Sequence, residues 1–137
     1  MQVSLDWKQG MSFRGNAPTG SVDISAYPDV GGAGDGLAPV ELVALGLGGC
    51  TAVDVISILQ KKRQDVRNLQ VRVTTERKEE HPKVWTRALI EYFITGKDVD
   101  PAAVERAIEL SHDKYCVVQN MLKASVNIET RYEIREP

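Results

Sequence analysis

Alternation of apolar and polar residues predicts strands at the N-terminal end of the chain. In the first of them Val3, Leu5 and Trp7 share one face. Such a small antiparallel meander has too little apolar surface to be stable alone, so we expect it to pack on something else. The predicted strands cover residues 2–7, 11–15 and 21–26, with turns at residues 8–10 and 16–20.

A long apolar segment predicts a central helix. Pro39 supplies the fixed φ of a first helical position, and Glu41 places a carboxylate near the positive end of the helix dipole. From Val40 to Leu59 both sides of the helix are apolar, which is typical of a helix buried all round. Its internal glycines each cost about 1 kcal/mol relative to alanine. We therefore expect Gly46, Gly48 and Gly49 to allow close approach of another backbone.

The glycine-rich segment before this helix, residues 29–36, raises the possibility of a phosphate-binding loop. Its spacing fits neither a Walker loop nor a dinucleotide fingerprint, and no Lys-Ser/Thr pair follows. The segment is predicted to be a flexible linker.

The rest of the chain predicts a second hairpin, helical segments and a last strand. Asp100-Pro101 is typical of a helix start, and a further helix or a bent continuation carries Cys116. The order of elements favours an α+β fold class with antiparallel sheet, in a single domain over residues 1–137. The predicted strands cover residues 68–79, 84–95 and 125–135.

Composition narrows the possible partners. The net charge of -2 with interspersed charges gives no footprint for nucleic acid or for an anionic membrane surface. The first thirty residues lack the pattern of a secretory signal, and no apolar run is expected to reach the roughly 20 residues of a membrane span. We expect a cytoplasmic protein with neither nucleic acid nor membrane as partner.

The chain has two cysteines, Cys50 and Cys116. In a reducing compartment a structural disulfide is unusual, and a transient catalytic one is the common exception. The alternative is that both thiols are small buried apolar groups. A zinc site built from the two cysteines with His81 and His112 lacks any close ligand pair, so no metal is expected.

Three segments together resemble the OsmC/Ohr family of thiol-dependent organic hydroperoxide reductases. They are Pro39–Val43, Gly48-Gly49-Cys50 and Tyr115–Val118, and the closer likeness is to the YhfA-like branch. The resemblance implies the OsmC-like fold, an intertwined homodimer in which antiparallel sheets from both subunits wrap central buried helices. The helix would then form the dimer core, and the N-terminal meander would complete a sheet with strands of the partner.

The resemblance also implies a mechanism without a cofactor. Cys50 would be the peroxidatic thiol, and Arg14, oriented by Glu41, would stabilise its thiolate. Attack on an organic hydroperoxide would give a sulfenic acid, and Cys116 would resolve it as a disulfide that an external dithiol reduces. The sequence departs from the family pattern at Val117, where proline is frequent.

Other interpretations of the same residues stay open. Arg14 can be a solvated strand residue, Glu41 a helix N-terminal charge, and Asp54 a polar neighbour one turn from Cys50. His112 lies one turn before Cys116 and would contact it only if the helix is continuous. The alternative function is a non-catalytic, redox-sensing or small-ligand-binding protein of the same fold.

Overall fold

The computed structural model describes all 137 residues, which form two compact units, Met1–Ala44 and Leu45–Pro137. The first unit contains an antiparallel sheet in the order β1-β2-β3, as the alternation predicts. Each strand lies one to two residues from its predicted place, because the turns centre on Gly10–Met11 and Pro18–Thr19. Gly10 has a φ of 54°, which favours glycine at that turn. The strands are β1 (Ser4–Gln9), β2 (Ser12–Ala17) and β3 (Gly20–Ser25).

The glycine-rich segment after β3 is not the flexible linker that was expected. The Leu37 N–H donates to the Asp23 carbonyl at 2.9 Å, and the Ser25 N–H donates to the Leu37 carbonyl at 3.0 Å. Gly36, the residue before Leu37, lies so close to β3 that a Cβ there would be 2.6 Å from the Asp23 carbonyl carbon. Glycine is therefore needed here for close backbone contact, and the prediction of a linker is corrected.

Helix α1 (Pro39–Lys61) begins at the predicted residue. Leu47, Val55 and Leu59 are fully buried in the core of the second unit, whereas Leu45 and Val53 are 59% and 66% exposed. The expectation of a helix buried on all sides is therefore wrong for the single chain, since only one side has a covering sheet.

The length of α1 corrects the expectation that no apolar run reaches the length of a membrane span. With a mean hydropathy of 2.0 it is long and apolar enough to cross a membrane by length and composition alone. The core helix of a soluble protein meets the same criterion, and α1 contributes Leu47, Val55 and Leu59 to the core cluster of the second unit.

The sheet of the second unit has the order β4-β5-β6, formed by β4 (Asp65–Arg77), β5 (Trp85–Lys97) and β6 (Asn127–Arg135). The β4–β5 hairpin is antiparallel as predicted, but β6 is parallel to β5, which corrects the expectation of a purely antiparallel sheet. The connection between β5 and β6 is a helical crossover. It returns the chain to the end of the sheet at which β5 began, so that β6 runs parallel to β5. The α+β class is confirmed.

The crossover connection carries three helical segments. Asp100 caps the first through its Oδ1, which accepts the Ala102 N–H at 3.0 Å, as predicted for an N-cap. The segments are α2 (Pro101–Leu110), a π-helical turn (Ser111–Tyr115) and α3 (Val117–Leu122).

The core of the second unit lies between its sheet and the helices. The buried face of β5 presents four alternating apolar residues, and Val104 and Ala107 of α2 are buried with them. The four are Ala88, Ile90, Tyr92 and Ile94. Gly48 of α1 lies against β4, where a Cβ would be 3.0 Å from a Val73 methyl, while Gly46 and Gly49 face open space. Close packing within the chain thus explains one of the three glycines.

Candidate functional site

The two thiols of the chain are neighbours in the second unit. Cys50 lies on α1 and is partly exposed, whereas Cys116 is fully buried, and Cys50 is near enough to raise the pKa of the Cys116 thiol. Neither cysteine forms a disulfide. One partly exposed thiol and one buried thiol therefore lie in the same part of the second unit.

Cys116 lies at the junction of the π-helical turn and α3. It has an extended backbone, its N–H donates to the Ser111 carbonyl at 2.8 Å, and its sulfur accepts the Gln119 N–H at 3.3 Å. The continuous helix that would have set His112 against Cys116 is therefore absent. His112 instead places its Nδ1 2.7 Å from the Gln119 side-chain oxygen.

Burial raises the pKa of the Cys116 thiol, and the neighbouring Cys50 raises it further. Hydrogen bonds from Gln119 oppose these effects. A negative charge on Cys50 thus favours the protonated form of Cys116, because two adjacent thiolates repel each other. The Cys116 thiol therefore keeps its proton to higher pH than an ordinary cysteine.

Next to the thiols lies a chain of buried hydroxyl groups that the sequence analysis did not identify. The Thr51 Oγ1 is 2.7 Å from the Tyr92 hydroxyl and 2.8 Å from the Ser111 Oγ. The Ser111 hydroxyl donates to the Asp54 Oδ2 at 2.9 Å. Each hydroxyl has one hydrogen, so Ser111, which donates to Asp54, accepts from Thr51, and Thr51 accepts from Tyr92. Burial raises the pKa of Tyr92 to about 12, which keeps it a neutral donor.

Ser111 connects the two cysteine-bearing segments. Its carbonyl accepts the Cys116 N–H, while its hydroxyl bonds Thr51, the residue after Cys50, and Asp54. One residue therefore fixes the Cys116 segment against α1. The available sequence signal was a threonine and an aspartate in an apolar helix, since buried polar groups need partners.

The first unit contains the two residues expected to activate the thiol. The Arg14 guanidinium donates to the Asp23 Oδ1 and to the Ser21 hydroxyl, both at 2.8 Å. Arg14 holds the pKa of Asp23 below its usual range. The Glu41 Oε1 accepts the Ala38 N–H at 2.7 Å, which caps the helix that Ala38 cannot cap through its own side chain.

Arg14 and Glu41 therefore do not form the contact expected between them. The strand register explains the difference, because Asp23 of β3 stands directly opposite Arg14 of β2. Opposite charges at such positions pair across the strands. No group of three or more His, Cys, Asp or Glu side chains is arranged to hold a metal ion.

Comparisons with known proteins show similarity over nearly the whole chain. A family model described as OsmC-like protein matches residues 32–131. Protein YhfA of Escherichia coli is 42% identical over 135 residues, 98% of each chain. A hypothetical protein from Aquifex aeolicus is 33% identical with a TM-score of 0.89, covering 99% of this chain and 96% of that one. Organic hydroperoxide resistance protein OsmC from Legionella pneumophila is 13% identical with a TM-score of 0.70, covering 96% and 95%, which shows a shared fold.

Replacing the central hydroxyl of the buried network should destabilise the protein. Thr51→Val leaves the Tyr92 and Ser111 hydroxyls without a shared partner. We expect the free energy of unfolding, measured by urea denaturation, to fall by about 1–3 kcal/mol. Ser57→Ala, on the same helix but outside the network, should change it by less than about 0.5 kcal/mol. Equal effects of the two substitutions would contradict the network.

The raised pKa of Cys116 predicts a loss of stability at alkaline pH. Below the ordinary thiol pKa of about 8.5, Cys116 is protonated in both the folded and the unfolded chain, so its contribution is constant. Above it the unfolded chain releases the proton first, and the free energy of unfolding decreases. We expect this decrease in the reduced protein between about pH 8.5 and 9.5, below the range in which tyrosine titrates.

Cys116→Ser removes the titrating group and should flatten the pH dependence over that interval. The measurement is urea denaturation of both proteins under reducing conditions at several pH values. Identical slopes in the two proteins would show that the Cys116 thiol does not have a raised pKa.

Proposed function

Because the chain belongs to the OsmC-like family, we propose that it is a thiol-dependent peroxidase that reduces organic hydroperoxides through Cys50 and Cys116. The observation that carries the proposal is a partly exposed thiol near enough to a fully buried one to influence its pKa. Such a pair can form a disulfide after the accessible thiol has been oxidised. The name of the Legionella pneumophila protein of the same fold, an organic hydroperoxide resistance protein, indicates the substrate class.

The proposed reaction has two oxidative steps. The Cys50 thiolate attacks one peroxide oxygen, the O–O bond breaks, and the departing alkoxide takes a proton to leave as an alcohol. The sulfur of Cys116 then attacks the Cys50 sulfenic acid, and its proton leaves with the hydroxyl group as water. An external dithiol reduces the resulting disulfide. OsmC/Ohr proteins perform this class of chemistry without a cofactor.

Arg14 and Glu41 remain the proposed activating residues, with one change in their roles. Arg14 is the cation proposed to stabilise the Cys50 thiolate. Asp23, which already binds its guanidinium at 2.8 Å, supplies the orienting carboxylate that was expected from Glu41. Glu41 supports the site by capping α1.

We further propose that the protein acts as a homodimer in the cytoplasm, where free thiols are maintained. Cys50 lies on the face of α1 that also presents Gly46 and Val53, and this face is open in the single chain. In the first unit Leu5 and Trp7 of β1 are 57% and 67% exposed. Large exposed apolar groups of this kind mark interaction surfaces.

A second candidate function is binding of a small apolar ligand without catalysis. The first unit has an open apolar groove of about 420 Å³, lined among others by Leu5, Val22 and Ile24. The groove contains neither cysteine, so reactions of the thiols distinguish the two functions.

The proposed activity is tested by adding one equivalent of an organic hydroperoxide to the reduced protein. We expect rapid loss of two hydrogen atoms by mass, with the Cys50–Cys116 disulfide identified in a proteolytic digest. Cys50→Ala should not react, and Cys116→Ser should stop after gaining one oxygen atom at Cys50. Thiols that stay unmodified while the protein binds an apolar ligand would exclude the peroxidase and favour the second candidate.

The proposed dimer predicts that thermal stability depends on protein concentration, because only the folded chain associates. Val53→Glu places a charge on the open face of α1 and should lower the midpoint and shift sedimentation towards the monomer. Gln60→Glu, exposed on the same helix, is the control for added charge and should leave both unchanged. A concentration-independent midpoint with monomer sedimentation would contradict the dimer.

A further inference from the structure

Gln119 is a fully buried polar residue with an unused donor. It lies in α3 with 0% exposure, and its side-chain Nε2 is the one buried side-chain nitrogen or oxygen atom without a hydrogen-bond partner. An unpaired buried amide N–H costs roughly 1–3 kcal/mol, so its retention calls for an explanation. Nothing in the peroxidase steps described above uses this group.

His112 fixes which way the amide points. Its Nδ1 is 2.7 Å from the Gln119 Oε1, and a protonated Nδ1 donates to that oxygen. The oxygen of the amide is thereby committed to His112, and the Nε2 is directed to the opposite side. Asn120 holds the same turn by donating its Nδ2 to the Cys116 carbonyl at 2.8 Å.

The Cys116 sulfur is the acceptor that we consider for the unpaired Nε2. This sulfur already accepts the Gln119 backbone N–H at 3.3 Å. The Gln119 side chain also lowers the pKa of the Cys116 thiol, although its Nε2 forms no hydrogen bond in this structure. Gln119 thus supplies one N–H donor that contacts the fully buried sulfur, and the same residue carries a second, buried donor that has no partner.

We propose that Gln119, aimed by His112, stabilises the thiolate form of Cys116 during disulfide exchange with Cys50. A sulfur at 0% exposure has no water to solvate its charge, so protein donors must do so. Contacts to a charged sulfur are stronger than contacts to a neutral thiol. The unused donor is therefore held ready for a charge that exists only while the disulfide forms or breaks.

The exchange step defines when that charge appears. In reduction, a thiolate of the external dithiol attacks the accessible Cys50 sulfur, and the S–S bond breaks with its electron pair leaving on Cys116. The second thiol of the dithiol then releases Cys50, and both cysteines regain protons. Exposure of Cys50 and burial of Cys116 make Cys116 the leaving group. This inference deepens the proposed function and rests on it for the physiological oxidant.

The inference can be tested without any peroxide. The disulfide is formed with a chemical thiol oxidant, and its reduction by dithiothreitol is followed by rapid mixing and mass analysis. Gln119→Leu keeps the approximate volume but removes both amide groups, so we expect reduction to be about tenfold slower, the effect of losing one hydrogen bond to a charged group. In a Cys50→Ser background, the same substitution should raise the pKa of Cys116, as measured by thiolate absorbance.

Gln64→Leu is the matched control, because it is the same substitution and removes the hydrogen bond that the Asp100 N–H donates at 2.8 Å, outside the thiol site. It should lower stability but leave the reduction rate and the thiol titration unchanged. If Gln119→Leu does not fold, Gln119→Glu retains an acceptor for His112 while placing negative charge beside the sulfur, and should slow reduction further. His112→Leu should act in the same direction as Gln119→Leu, with a smaller effect.

The other groups that influence the pKa of Cys116 must be the same in all of the proteins that are compared in these titrations. Cys50 on α1 raises the pKa of the Cys116 thiol, Cys116 raises that of Tyr92 on β5, and His112 binds the Gln119 amide. A folded Gln119→Leu protein with an unchanged reduction rate and unchanged Cys116 titration would overturn the inference. If organic hydroperoxide fails to oxidise the wild-type protein while both Gln119 effects are observed, the proposed peroxidase fails and this inference stands.

Discussion

The double attachment of Ser111 holds the candidate site together. Its hydroxyl binds Thr51 and Asp54 on α1, and its carbonyl receives the Cys116 N–H across the π-helical turn. Without this connection nothing in the local sequence would hold Cys116 beside Cys50, since the two belong to segments that are distant along the chain. The wider turn also ends α2 and lets Cys116 take an extended backbone, which turns its sulfur towards the first N–H groups of α3. Position and electrostatics of the buried thiol therefore have one structural origin.

The elements that depend on local patterning were predictable. Pro39, the cap at Asp100 and the alternation along β5 each follow from backbone chemistry within a few residues, and all three are confirmed. The parallel pairing of β6 was not predictable in this way, because alternation gives the faces of a strand but not its direction. The open face of α1 was missed for a related reason. Apolar residues on both sides of a helix indicate two packing surfaces, and only one of these surfaces is covered within the single chain.

The sequence singles out the two cysteines but does not reveal the groups that pair with Arg14 and Glu41. Cysteines are rare enough that two in similar contexts attract attention, and the resemblance to a family assigned them to each other. Arg14 found its carboxylate across a strand pair, where the register decides, and Glu41 was committed to its own helix terminus. Ser111 and Gln119 are ordinary polar residues in sequence. Their importance follows only from burial and from the groups that lie opposite them.

The parallel β5–β6 pair has a consequence for the order in which the protein folds. Cys116 lies inside the crossover connection between Lys97 and Asn127, so its final position depends on pairing of strands that are far apart in sequence. Such long-range contacts form slowly, whereas the β4–β5 hairpin is local. The two thiols should therefore meet late, after the hairpin and α1 have packed. A chain that is still folding would keep its cysteines apart, which protects it from premature cross-linking until the buried network is complete.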